Sequence, residues 1–182
     1  MGGLPGDAEG REGALRDLVA LHCEVDEGVA RLEERHAGRL QCGRGCSSCC
    51  VDEITVFAVE AERIRRSYGD LLAEGSPHAP GACAFLDAAG SCRVYAARPY
   101  VCRSQGLPLR WLEEMGEEEG AEIVERRDIC PLNIESLPPS VLREEDCWQI
   151  GPIELRLGEI EERFSHGRLR RLGLRTLFGR GA

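Results

Sequence analysis

The sequence predicts an α+β domain in which helices dominate and loops are frequent. Amphipathic segments near the two ends of the chain predict flanking N- and C-terminal helices. Between them, runs that suit short β-hairpins alternate with segments rich in glycine and cysteine. The length of 182 residues suits one such domain, and only 5% of the residues are aromatic, so few large side chains are available to build its core.

The first helix is predicted from about Arg11 to His36, and Gly38 is placed to end it. Its apolar residues recur at spacings of three, four and seven, which is typical of one helix face: Leu15, Leu18, Val25, Val29 and Leu32. Residues 1–10 are rich in glycine, and we expect them to be disordered. Cys23 lies inside the helix, and we expect it to be buried as a small apolar core residue.

A loop from Gln41 to Cys50 and a short apolar stretch lead to a second predicted helix, at about Phe57–Tyr68. Prolines and glycines in residues 69–81 indicate a linker. The next segment, 83–95, predicts a hairpin around an Ala-Ala-Gly turn.

The remaining elements follow from turn residues and periodicity. Arg98-Pro99 predicts the start of a helical turn that carries Cys102. A second hairpin is predicted between Leu107–Leu112 and Ala121–Glu125, across an acidic loop. The last helix is predicted at Pro152–Phe164, with one apolar stripe formed by Ile153, Leu157, Ile160 and Phe164. These elements give a single domain over residues 11–165.

Composition and charge exclude several classes of function. The formal net charge of −9 argues against general nucleic-acid binding, because phosphate contacts need a basic surface. No apolar run is long enough to span a membrane. All 23 basic residues are arginine, which excludes lysine Schiff-base chemistry. Residues 166–182 form a basic tail, and we expect it to pack against the protein's own acidic helices or to be frayed rather than to dock on an acidic surface.

The N-terminus shows no secretory signal, so we expect a cytoplasmic protein in a reducing compartment. There, the ten cysteines are more readily explained as metal ligands or reactive thiols than as disulfides. Eight of them form a spaced pattern, Cys42-x3-Cys46-x2-Cys49-Cys50, then Cys83-x8-Cys92-x9-Cys102, then Cys130. Short spacings in a glycine-rich loop let thiolates converge on one centre, so we expect metal to staple this domain.

The adjacent pair Cys49-Cys50 limits how these thiols are shared. Neighbouring side chains diverge in extended or helical backbone, so we expect the two to do different jobs. Eight cysteines then suit two four-ligand sites, or one cluster with supporting thiols. Soft thiolates fit both zinc and iron–sulfur clusters, so the spacing does not decide between them. Four arginines adjacent to the cysteines in sequence could offset the negative charge of such a centre: Arg44, Arg93, Arg98 and Arg103.

Taken together, these segments resemble the YkgJ-like cysteine-cluster family, also described as a zinc- or iron-chelating domain. The resemblance spans about residues 42–133, from the Cys42–Cys50 loop to Cys130-Pro131-Leu132-Asn133. It implies that the eight cysteines are the metal ligands, and it leaves Cys23 and Cys147 outside the pattern.

Two hypotheses for the function follow. The first is an iron–sulfur protein with a redox or accessory role, favoured because eight thiols exceed what one structural zinc needs. The second is a zinc-stabilised interaction module without catalysis. The sequence shows no set of residues for hydrolysis or phosphoryl transfer and identifies neither a substrate nor a protein partner.

Overall fold

The computed structural model describes residues 5–43, 45–116 and 122–179. Within these ranges the chain forms an α-dominated α+β fold, as predicted. The helices are α1 Pro5–Arg35, α2 Ala58–Ser67, α3 Gly69–Glu74, α4 Tyr100–Arg103 and α5 Gly151–Phe164. The strands are β1 Thr55–Phe57, β2 Leu109–Met115, β3 Glu122–Asp128, β4 Trp148–Gln149 and β5 Arg171–Gly173.

The largest core lies where α1 packs against α5 and α2. Leu18 and Val25 of α1 are fully buried there, beside Leu157 and Phe164 of α5. These residues belong to the two stripes that the sequence periodicity predicts. Each fully buried side chain of this size contributes about 1.5–3 kcal/mol to folding. The two flanking helices are therefore the main support of the fold.

Two small sheets complete the architecture. Strand β1 pairs antiparallel with β5, in a register that sets Val56 opposite Leu172. In the second sheet the order is β3-β2-β4, with β2 antiparallel to β3 and parallel to β4. The β2–β3 pair confirms the second predicted hairpin, with strands longer than expected, while the loop tip at 117–121 lies outside the described residues.

The basic C-terminal segment is part of the fold as far as residue 179. Its strand β5 closes the first sheet, and Leu174 and Leu177 are buried in a second core with Ile64 and Phe85. Arg175 forms an ion pair with Asp52. The segment thus packs on the protein itself rather than fraying: it contacts Ile64 of α2, and the Arg170 N–H donates to the Glu161 carboxylate of α5.

Other elements differ from the sequence prediction. Helix α1 begins at Pro5, so residues 5–10, expected to be disordered, are helical, and residues 1–4 lie outside the described part of the chain. Residues 69–74, expected to be linker, form the short helix α3. The hairpin expected at 83–95 is reduced to a single antiparallel bridge between Leu86 and Cys92.

A third and smaller core joins the segments after β3 to the start of the cysteine-rich loop. It contains Ile129, Leu137, Leu142 and Cys147, with Leu40 packed on it. Among the described residues, no helix is long and apolar enough to cross a membrane.

Candidate metal centre

Seven of the eight patterned cysteines line one cavity of about 680 Å³. Its apolar wall includes Phe85, Leu86 and Val94 of the second core. The volume is within the range of about 300–1,000 Å³ that is common for binding sites. The cysteines in its lining are Cys42, Cys46, Cys49, Cys50, Cys83, Cys92 and Cys102.

The loop from Cys42 to Cys50 is folded by its own backbone into successive turns. The N–H of Cys46 donates to the carbonyl of Gly43 at 3.0 Å, and that of Cys50 donates to Ser47 at 2.9 Å. Gly45, at φ +86°, occupies a conformation that favours glycine. These turns bring cysteines that are close in sequence to one side of the cavity. Arg44 lies outside the described residues.

The second cysteine segment is tied directly to this loop. The N–H of Cys83 donates to the carbonyl of Cys50 at 2.9 Å. A tight turn then returns the chain so that Cys92 pairs with Leu86. The carboxylate of Asp87 fixes that turn by accepting the backbone N–H groups of Ala89 and Ser91. Cys83 and Cys92 are thereby brought to the same wall as Cys50.

Cys102 lies on α4, the helical turn predicted after Pro99. The buried carboxylate of Glu60 accepts the Tyr100 backbone N–H at 2.7 Å, which attaches this turn to α2. The hydroxyl of Tyr100 accepts a hydrogen bond from Trp148 at 3.0 Å. The position of Cys102 therefore depends on residues far from it in the sequence.

Cys130 starts a short 3-10 turn that ends at Asn133. The Asn133 side chain is fully buried and makes three contacts. Its oxygen accepts the Gln41 N–H at 2.7 Å, and its nitrogen donates to the Gly106 carbonyl at 2.7 Å and to the Cys42 sulfur at 3.5 Å. Cys130 is not part of the cavity lining described above, but Asn133 connects its turn to Cys42.

Gly106 lies against the same sulfur. Its φ of +92° is a conformation that side chains rarely adopt, and a Cβ at this position would lie 2.4 Å from the Cys42 Sγ. Only glycine leaves room there for the sulfur. Neither Gly106 nor Asn133 was assigned a role by the sequence patterns, since each acts through contacts that form only on folding. Asn133 does follow Cys130 within the segment Cys130-Pro131-Leu132-Asn133, so that motif could have identified it as a candidate site residue.

Burial raises the pKa of four of these thiols and so favours their protonated form: Cys42, Cys83, Cys92 and Cys102. Burial raises the pKa of Cys42, while the hydrogen bond from Asn133 acts in the opposite direction, and ionisation of the neighbouring Cys130, Cys46 and Cys49 would raise the pKa further. Burial, with the charges of Cys83 and Cys92, raises the pKa of Cys102 to about 12. A bound cation would reverse this preference, since a coordinating thiol is deprotonated outright. Metal binding would therefore release protons.

The adjacent thiols of Cys49 and Cys50 interact with each other. A hydrogen bond from Cys50 lowers the pKa of Cys49 to about 6, and the same contact raises the pKa of Cys50. The two side chains approach because the backbone turns there, whereas they would diverge in a strand or helix. That Cys49 and Cys50 have different roles at the site stays a prediction.

Two of the four arginines proposed to offset the charge of a centre line the cavity. Arg98 and Arg103 both bind the carboxylate of Asp26 on α1. The Arg103 side chain is 1% exposed, and its Nε has no hydrogen-bond partner within the described part of the chain. Arg93 instead binds the carbonyls of Ser76 and Ala84.

The two cysteines outside the pattern also lie outside the cavity lining. Cys147 is buried in the third core, and its burial raises its pKa. Cys23 is exposed on α1, so the expected burial in the core is wrong. It lies two residues from the buried Val25, which is about 200° around the helix. None of the four histidines, all in the described ranges, lines the cavity.

The donor set suits a soft metal. Thiolates select zinc, copper(I) and iron–sulfur clusters. The space that Gly106 leaves at Cys42 and the orphan Nε of Arg103 both suit thiolates that gather around a metal. Over residues 5–43, 45–116 and 122–179, no three His, Cys, Asp or Glu side chains are already arranged to hold an ion. A metal would therefore have to draw the thiols together.

Comparison with known proteins gives one match. The CxxCxxCC family model, described as "Putative zinc- or iron-chelating domain", matches residues 41–131, which is half of the chain. No curated protein and no solved structure matches. The matched segment begins one residue before Cys42 and ends one residue after Cys130, so it encloses all eight patterned cysteines. The chain belongs to this family of zinc- or iron-chelating cysteine-cluster domains.

Proposed function

We propose that the eight patterned cysteines hold an iron–sulfur centre. The protein would then be a redox carrier or an accessory to another redox or transfer system. The observation that supports this most is the convergence of seven thiols, from three separate segments, on one cavity. The family match supports a bound metal but leaves zinc and iron as alternatives.

Iron–sulfur is favoured over zinc by the number and environment of the thiols. A structural zinc site needs four ligands, whereas eight of the ten cysteines belong to the pattern here. Buried thiols among apolar side chains, with arginines at the wall, resemble the surroundings that set the potential of an iron–sulfur cluster. Bound in this way, a cluster would supply one-electron transfer.

The chain's own residues would provide the rest of the centre. The Asn133 amide would donate to the Cys42 sulfur, and the Arg103 guanidinium would offset negative charge at the cavity wall. The alternative is a zinc-stabilised interaction module. It is supported by the division of the interior into three cores, of which the smallest adjoins Cys130, since a metal staple would hold such a domain together.

Purification without oxygen distinguishes the two functions. We expect a brown protein that contains iron and acid-labile sulfide and whose visible absorption bleaches on reduction. The matched variant is Cys102→Ser, which should contain less iron and sulfide than the wild-type protein, and Cys23→Ser is the control that should keep the full content of both. A colourless protein that contains zinc and no sulfide would overturn the iron–sulfur proposal in favour of the zinc module.

A further inference from the structure

We propose that the eight cysteines form two separate four-thiol metal centres that meet at the adjacent pair Cys49-Cys50. This inference rests on the proposed function only in that the cysteines bind metal, whichever metal it is. The first centre contains Cys42, Cys46, Cys49 and Cys130. The second contains Cys50, Cys83, Cys92 and Cys102.

The first group is defined by what surrounds Cys42. Cys46 lies next to it on the same loop, in a turn closed by the hydrogen bond from the Cys46 N–H to the Gly43 carbonyl at 3.0 Å. Asn133 links the same thiol to the Cys130 turn, since its backbone N–H donates to the Cys130 carbonyl at 2.8 Å while its amide donates to the Cys42 sulfur. The residues that flank these two cysteines are also close together, because Leu40 and Ile129 both pack in the third core. Cys42 and Cys130 are thus neighbours although they are far apart in sequence.

The second group is defined by a different core. Cys50, Cys83 and Cys92 all pack with the second core, around Phe85 and Val94, and none of the first group does. The backbone hydrogen bond between Cys83 and Cys50 fixes two of these cysteines side by side. The fourth member, Cys102, lines the cavity with these three cysteines and lies on α4, which follows Val94 and Ala97 of the second core in the chain.

The two groups meet at one peptide unit. Cys49 lines the cavity together with Cys42 of the first group and with Cys50 and Cys102 of the second. The turn closed by the Cys50 N–H and the Ser47 carbonyl places the two adjacent thiols together. A division between Cys49 and Cys50 gives each group four thiols, the number that a tetrathiolate zinc or a cubane cluster uses.

The test compares pairs of Cys→Ser changes within and across the groups. Metal per chain, with acid-labile sulfide, is measured after purification of the full chain without oxygen. Cys49→Ser with Cys130→Ser removes two ligands from the first group, and we expect about half of the metal to remain. Cys49→Ser with Cys92→Ser removes one ligand from each group, and we expect nearly all of the metal to be lost. Cys147→Ser is the control that keeps the full content.

The outcomes separate this inference from the proposed function. If the wild-type protein holds zinc instead of iron, the iron–sulfur proposal fails, while the zinc counts of the two pairs still test the division. Equal loss from the within-group and across-group pairs would overturn it in favour of one centre. If Cys130→Ser prevents folding, Cys42→Ser with Cys46→Ser replaces the first pair. Wild-type protein without metal would overturn both proposals.

Discussion

The buried side-chain amide of Asn133 donates a hydrogen bond to the sulfur of Cys42 at 3.5 Å, while its oxygen accepts the backbone N–H of Gln41, the residue before Cys42. One side chain therefore positions a candidate ligand and stabilises its negative charge. Hydrogen bonds of this kind orient ligands and tune the metal they hold. The relationship also joins the first and last cysteines of the pattern, since Asn133 closes the turn that begins at Cys130.

Asn133→Ala should weaken metal binding. The change removes the donor to the Cys42 sulfur, and we expect metal affinity to fall by about 10–100-fold. It also leaves the Gln41 N–H and the Gly106 carbonyl without their partner, which should cost about 1–3 kcal/mol of stability for each buried group left unpaired. Competition with a chromophoric chelator measures the affinity. Ile134→Ala, at the exposed neighbouring position, is the control, and equal affinity in both variants would contradict this role.

Gly106→Ala should displace Cys42. The new Cβ would lie 2.4 Å from the Cys42 Sγ, in addition to the strain of a positive φ. Gly81→Ala separates the two effects, because Gly81 has φ +100° and a Cβ added there would meet no atom within 4 Å. Both variants should lose about 1–2 kcal/mol from backbone strain. Only Gly106→Ala should also lose metal, and equal metal content in the two would show that the contact is unimportant.

Removal of metal should lower the thermal stability of the protein. A ligand that binds only the folded state at 100 times its dissociation constant contributes about 2.7 kcal/mol. The third core is small, and Leu40 and Ile129 join it directly to the Cys42 and Cys130 segments, so we expect this region to loosen first. Calorimetry before and after complete chelation measures the change in Tm. An unchanged Tm would mean that metal and folding are not coupled.

Cys23→Ser and Cys147→Ser should both leave the metal content intact. Neither cysteine lines the cavity, since Cys23 is exposed on α1 and Cys147 is buried in the third core. Cys147→Ser should lower the free energy of unfolding, because a hydroxyl replaces a buried thiol, whereas Cys23→Ser should leave it unchanged. Metal analysis and denaturant titration measure the two quantities. Loss of a metal equivalent from either variant would place that cysteine among the ligands.

The elements that local patterns encode could be predicted from the sequence. The stripes of α1 and α5 and the β2–β3 hairpin have clear periodicities, and all three form. The β1–β5 pairing could not be predicted, because its strands have three residues each and lie far apart in the sequence. Thr55 and Arg171, whose side chains form a hydrogen bond, are separated by 116 positions. The segment 83–95 keeps only one bridge of the predicted hairpin, and there the side chains of Asp87 and Arg93 hydrogen-bond the backbone of Ser91 and Ala84.

The candidate site was predicted only in part. Cysteine spacing brought eight thiols to attention, and the fold gathers seven of them at one cavity. The supporting residues were not predicted, because Glu60, Gly106 and Asn133 contact the cysteine segments only through tertiary structure. The interaction between the Cys49 and Cys50 thiols was not expected either, since it depends on a local turn rather than on residue type.

The central claim is that the patterned thiols are the metal ligands. X-ray absorption spectroscopy at the edge of the bound metal tests it most directly, because it identifies the atoms in the first coordination shell. We predict a shell of sulfur alone, at about 2.3 Å if the metal is zinc. A shell that contains nitrogen or oxygen at about 2.0–2.2 Å in the wild-type protein would contradict the assignment of the metal to the eight cysteines.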